Sequence, residues 1–145
     1  MDYIPIATGY NTSLELPLTF SKPINIIRDY FRETNHPLMM TYKVNAGFLP
    51  LDNWYQSKNQ GLRILSEGCH FLDVLSYLAN SKAVSVYASS IRSKNELTRD
   101  RDTVSITIEY QNGSIGNLIY VANCSKLLDK EFFTTDVGSA KIYAR

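Results

Sequence analysis

Net charge is almost missing from this chain: 15 Lys and Arg against 14 Asp and Glu leave +1 over 145 residues. No broad field recommends nucleic acid or an anionic membrane as a partner, since either would call for a clustered excess of basic groups. Cysteine is scarce as well. The two cysteines, Cys69 and Cys124, form no C-x-x-C pair, and Cys69 projects to the apolar side of a helix, where a buried thiol is the ordinary occupant. Neither a metal site nor a disulfide framework is expected. No apolar run approaches the roughly 18 residues of a spanning helix, and no basic segment leads into an apolar one at the start. The expected address is the cytoplasm, with no membrane role. Repeats and low-complexity stretches are also lacking. What remains is 44% hydrophobic residues at a length suited to one domain with its own core.

The order of patterns is helical first and extended later. "SKPINIIRDYFRET" has Ser21 as candidate N-cap, Pro23 in the first turn, and Ile24, Ile27 and Phe31 at helical spacing. "LMMTYKVNAG" reads as a strand ended by Gly47 and Pro50, and the loop "FLPLDNWYQSKNQG" that follows holds the single Trp and is long enough to line a pocket. A second helix is expected over residues 62–79. From Lys82 onward the period becomes 2. "AVSVYASSI", "DTVSITIEYQ" and "SIGNLIYVAN" are strands, the last two joined through Asn112-Gly113, which predicts a type I′ hairpin. "EFFTTDV" and "AKIYAR" form a weaker pair around Gly138-Ser139. Two helices can cover one face of such a sheet. The strands "VSITIEY" and "GNLIYVA" are apolar on both faces, with Leu118 and Tyr120 opposite Ile119, so a homodimer through the open sheet face is expected.

The second helix carries the most chemistry. A projection at about 100° per residue places Ile64, Leu65, Gly68, Cys69, Phe71, Leu72, Leu75, Leu78 and Ala79 in one half, which must face a core. The other half holds Arg63, Ser66, Glu67, His70, Asp73 and Tyr77, with Val74 its apolar member. His70 is one of two histidines in the chain. Read alone, a single histidine on a helix is more often a satisfied structural group than a catalyst.

In this order and spacing, "TYKVNAGFLP", "DNW", "NQGLRILSEGCHFLDVLSYL" and "DTVSITIEYQNGSIGNLIYVANCSK" resemble the C-terminal, substrate-binding domain of the Gfo/Idh/MocA oxidoreductases, in a subgroup with a V-N-A-G strand and an E-G-C-H-F-x-D helix. Roughly residues 9–135 are covered. The resemblance implies an α+β fold: an open-faced, mostly antiparallel mixed sheet with helices on one face, like the C-terminal domain of glyceraldehyde-3-phosphate dehydrogenase. It also implies a two-domain enzyme in which a Rossmann domain binds NAD or NADP while this domain presents a sugar, sugar nucleotide or polyol. Residues 1–145 hold no G-x-G-x-x-G turn and no E-K-P segment. The chain therefore reads as a single substrate-binding and oligomerisation domain cut at both ends, inactive and without tight NAD(P) binding on its own.

Oxidising a secondary alcohol needs a group to take the hydroxyl proton, and histidine does this near neutral pH without large tuning. The resemblance thus makes His70 and Glu67 the candidate catalytic residues, with Glu67 or Asp73 able to hold the ring. Lys43 and Asn45, alternate residues of one strand, share a sheet face and are candidates for binding substrate hydroxyls or a phosphate. Trp54 could stack on a sugar. Arg63 could clamp an anionic group or simply pair with Glu67 at i+4. Ser66 and Asp73 complete the candidate substrate-binding set. The competing reading is a non-catalytic ligand-binding or dimerisation module that keeps this fold.

Overall fold

A computed structural model describes residues 21–34, 36–56, 63–92, 101–125, 127–136 and 138–142. Helix α1 (Lys22–Thr34) leads to β1 (Met39–Asn45), a single 3-10 turn at Trp54–Gln56, helix α2 (Arg63–Ala79), and then β2 (Ala83–Ser90), β3 (Val104–Tyr110), β4 (Ile115–Val121), β5 (Glu131–Thr135) and β6 (Gly138–Ile142). The expected opening strand, residues 1–10, lies outside the described residues.

One six-stranded sheet has the order β2-β3-β4-β1-β5-β6. Its neighbours run antiparallel except for β1 and β4, which pair in parallel with Tyr42 opposite Leu118 and Val44 opposite Tyr120. Strand alternation then divides the residues. Met40, Tyr42, Val44, Leu118 and Tyr120 point toward the helices with 0% exposure, whereas Met39 (50%) and Ile119 (37%) look the other way. The fold is the expected α+β arrangement, with helices on one face.

Three expectations about the sheet need correcting. Leu118 and Tyr120 require no partner subunit, because α2 packs directly over β4 and β1. Gly116 permits that approach: a Cβ there would meet Leu75 Cβ at 3.3 Å and the Tyr110 ring at 3.4 Å. The β3–β4 turn is not type I′ either. Gly113 N–H donates to Tyr110 O at 2.9 Å and Tyr110 N–H to Ser114 O at 2.9 Å, and positive φ is confined to Gly113 at 87°. This is a type I turn followed by a left-handed glycine, the three-residue hairpin with a bulge. Asn112 gains other work there, its Nδ2 donating to the Ala79 carbonyl at the end of α2 and its Oδ1 accepting from Ser114 N–H. The β5–β6 reversal also comes earlier than expected, since Thr135 already pairs with Gly138.

The buried stripe of α2 is Gly68, Phe71, Val74, Leu75, Leu78 and Ala79, with Arg63 at its start. It is rotated from the hydropathy projection. Val74 and Arg63, assigned to the polar half, are buried at 0% and 3%, while Leu65, assigned to the core, is 69% exposed. The strands beneath decide this, because the first turn of α2 overhangs the ends of β1 and β4, where polar groups have backbone partners to meet. Below the centre, the Tyr42 ring sits between Phe71 and Phe133, at centroid separations of 5.0 and 5.6 Å. On α1, Ile24 and Phe31 are buried as the spacing predicts. Ser21 opens the helix through its carbonyl, which accepts from Asn25 N–H, and not through its hydroxyl.

Candidate functional site

Strand β1 ends in Val44-Asn45-Ala46-Gly47, and Gly47 adopts φ 70°, a left-handed turn that glycine makes without steric cost. The turn leaves two carbonyls inside the fold. Arg63, the first residue of α2, fills that need: its Nη1 donates to Gly47 O and its Nη2 to Ala46 O, both at 2.7 Å. Its own N–H is received by Asp102 Oδ1 at 3.0 Å. A buried carboxylate at a helix N-terminus meets both the unpaired N–H groups and the positive end of the helix dipole. Arg63 therefore joins three segments. The Arg63–Glu67 ion pair is not formed; two guanidinium nitrogens are taken by carbonyls, and Nε is buried with no hydrogen-bond partner among the described residues.

One turn along α2, Glu67 is half-buried and its Oε2 accepts a 2.7 Å hydrogen bond from the Tyr120 hydroxyl. Burial, then the neighbouring Glu67 carboxylate, hold the Tyr120 phenol far above its ordinary range, so it stays a donor across the working pH range. His70 follows on the exposed flank, next to Ser66, whose hydroxyl donates to the Arg63 carbonyl at 3.1 Å. Asp73 is partly buried, and desolvation raises its pKa. Ser66, Glu67, His70 and Asp73 thus share one edge of the helix, as the spacing predicts.

The rest of the candidate set is not gathered there. Lys43 stands exposed on the open face of the sheet, on the opposite side from α2. Asn45 has the same strand parity but is buried at the strand end, its Nδ2 donating to Ser125 O at 2.9 Å. Trp54 lies in the 3-10 turn with 71% of its surface exposed. Three contributors escaped the sequence reading: Asp102, Tyr120 and the 127–130 turn. Tyr120 alone carried a signal, being on the Leu118 face of β4. Asp102 and the turn are brought in by tertiary contacts that no local pattern encodes. Among the described residues, no cluster of His, Cys, Asp and Glu could hold a metal ion, and no helix is long and apolar enough to cross a membrane.

A helix edge bearing a tethered carboxylate and an exposed imidazole is set over the carboxyl ends of two parallel strands in this α+β domain. The chain belongs to the oxidoreductase family, as its C-terminal alpha/beta domain of Gfo/Idh/MocA type, whose profile matches residues 32–138. Solved structures agree on the fold. An NAD-binding protein from Listeria innocua is 20% identical, with a TM-score of 0.61 over 81% of this chain and 35% of that one. The WlbA dehydrogenase from Bordetella pertussis, in complex with NADH and UDP-GlcNAcA, is 14% identical, with a TM-score of 0.63 over 81% of this chain and 37% of its own. An oxidoreductase from Agrobacterium radiobacter, in complex with NAD+, L-tartaric acid and magnesium, is 18% identical, with a TM-score of 0.60 over 83% and 36%. The chain thus spans little more than a third of each. No curated protein sequence matches it.

Proposed function

We propose that this chain is the substrate-binding domain of an NAD(P)-dependent oxidoreductase that acts on a secondary alcohol of a sugar, sugar nucleotide or polyol. The observation that carries the reading is the edge of α2, where Glu67 is tethered by Tyr120 beside the exposed His70 in a domain of an oxidoreductase family. Structural neighbours in complex with NAD+, NADH and UDP-GlcNAcA support it.

The described residues include no phosphate-cradling glycine turn, so the cofactor needs a separate dinucleotide-binding domain, and there it supplies the hydride acceptor. This chain handles the proton and the orientation. His70 takes the hydroxyl proton on an imidazole nitrogen as the carbinol carbon is oxidised. Glu67, one oxygen fixed by Tyr120, offers the other to a substrate hydroxyl or to the ring. Ser66 and Asp73, on the same edge, add a donor and an acceptor for neighbouring hydroxyls. The apolar and mixed open face, with Met39, Lys43, Ile119 and Tyr87, suits a homodimer contact, which gives Lys43 a role in assembly in place of substrate binding.

The test uses the protein that carries both domains. His70→Ala is expected to lower turnover by about 10²-fold while the melting temperature stays unchanged. Unchanged turnover with a sharply lower melting temperature would make His70 a structural residue and overturn the reading.

A further inference from the structure

Asn45 is 7% exposed, and its surroundings fix which way its amide points. Nδ2 donates to the Ser125 carbonyl at 2.9 Å and reaches the Leu128 carbonyl at 3.4 Å. Both neighbours are acceptors, so reversing the amide would set oxygen against oxygen. Oδ1 is left, buried, with no hydrogen-bond partner among the described residues. Leaving a buried acceptor bare is unfavourable, because it has lost water and gained nothing in exchange. Such an atom calls for a donor that the described residues do not supply.

Asn45 also lines a cavity of about 210 Å³, together with Ala46, Gly47, Leu128 and Lys130. Its two polar side chains make complementary demands: the Asn45 oxygen needs a donor, and the Lys130 ammonium needs an anion. A volume below the roughly 300 Å³ of pockets that enclose whole drug-sized ligands suits one end of a small molecule. An inorganic phosphate would bring mainly acceptors to an oxygen that wants a donor. A carboxylate with a hydroxyl beside it brings one of each.

We propose that the cavity between the end of β1 and the 127–130 turn is a subsite for a hydroxy acid, its hydroxyl donating to Asn45 Oδ1 and its carboxylate pairing with Lys130. This goes beyond the oxidoreductase reading: the subsite, at the strand end and apart from the α2 edge, takes an alcohol that also carries a carboxylate, such as an aldonate or uronate. It does not rest on that reading. Binding itself requires neither cofactor nor turnover, so the two proposals fail separately.

The experiment is a titration of the ¹⁵N-labelled chain followed by amide chemical shifts, with D-gluconate as probe. D-glucitol serves as the matched polyol without a carboxylate, and adipate as the acid without hydroxyls. Gluconate is expected to move the amides of Ala46, Gly47 and Lys130 saturably, and glucitol and adipate at least tenfold more weakly. Lys130→Met, at an exposed position, should weaken gluconate binding at least tenfold without altering the rest of the spectrum. No saturable shift, equal binding of glucitol or adipate, or indifference to Lys130→Met would each overturn the assignment.

Discussion

Leu118 and Ile119 are adjacent in sequence and similar in chemistry, yet one is at 0% exposure beneath α2 and the other at 37% on the open face. The two faces of one strand have separate tasks. Toward the helices the sheet is closed by tyrosine and aliphatic side chains, and polar groups there are tied: Tyr42 donates to the buried Glu131 at 2.7 Å, Ser76 meets the Tyr110 hydroxyl at 3.2 Å, and Tyr120 holds Glu67. Away from the helices, Thr107 and Asn117 bond to each other at 2.9 Å between exposed or half-buried apolar groups. Chemistry collects at the rim of the covered face, where strands end and α2 begins, because only there do rigid elements bring buried polar groups close to solvent.

The comparison can be broken most severely with one charge. Leu118→Asp sets a carboxylate among Tyr42, Leu75 and their neighbours with nothing to pair with it, and it is expected to cost 4 kcal/mol or more and to abolish cooperative unfolding. Ile119→Asp, one residue on, should cost about 1 kcal/mol or less and instead weaken the proposed dimer, lowering the mass measured by light scattering. If the two variants were equally stable, the assignment of faces would be wrong.

A smaller effect separates the tied tyrosines from exposed ones. The pKa values of Tyr42, Tyr110 and Tyr120 are all raised above the ordinary 10.0, in each case first by burial, with Glu131 and Glu67 adding to it at Tyr42 and Tyr120. The folded state keeps these protons after the unfolded chain has begun to lose them. Their stabilisation is therefore complete below pH 10 and is lost as pH rises toward the folded values. Unfolding free energies from urea titrations should fall above pH 10 by up to about 1.4 kcal/mol per pH unit for each tyrosine. Tyr120→Phe should remove one share of that slope. A slope identical to that of the native chain would mean that Tyr120 titrates freely.

Much of this division was legible in the residues. The parity of β4, the helix–strand order and the shared edge of Ser66, Glu67, His70 and Asp73 follow from periods of 2 and 3.6, which side chains obey whatever lies around them. The rotation of α2 was not legible. Hydropathy ranks Leu65 above Arg63 for burial, but Arg63 lies over two strand-end carbonyls whose position depends on the Gly47 turn. The hairpin type was misread for a related reason: Asn112 tolerates positive φ, yet it holds the end of α2 through Ala79 and so keeps an ordinary backbone. Asn45 shares the strand parity of Lys43, as alternation predicts, but its buried amide depends on the Ser125 and Leu128 carbonyls, the first of them eighty residues later in sequence.

The smallest expected effect concerns Asp73, which lies on the edge of α2 that carries His70. Its carboxyl is partly buried and makes no hydrogen bond or ion pair among the described residues, and desolvation raises its pKa above the ordinary 3.8. The folded state thus disfavours the carboxylate, so at neutral pH the ionised group lowers stability. That penalty fades as pH falls through the folded value and vanishes below 3.8, where the side chain is protonated whether folded or not. Asp73→Asn, nearly the same in shape, is expected to raise the urea midpoint slightly at pH 7 and not at pH 3. In the proposed two-domain oxidoreductase the same change should lower turnover, as when a destabilising group is kept for its function. Stability gained at both pH values would trace the effect to packing. Stability gained at pH 7 alone, with turnover intact, would remove Asp73 from the site and leave Glu67 and His70 as its ionisable pair.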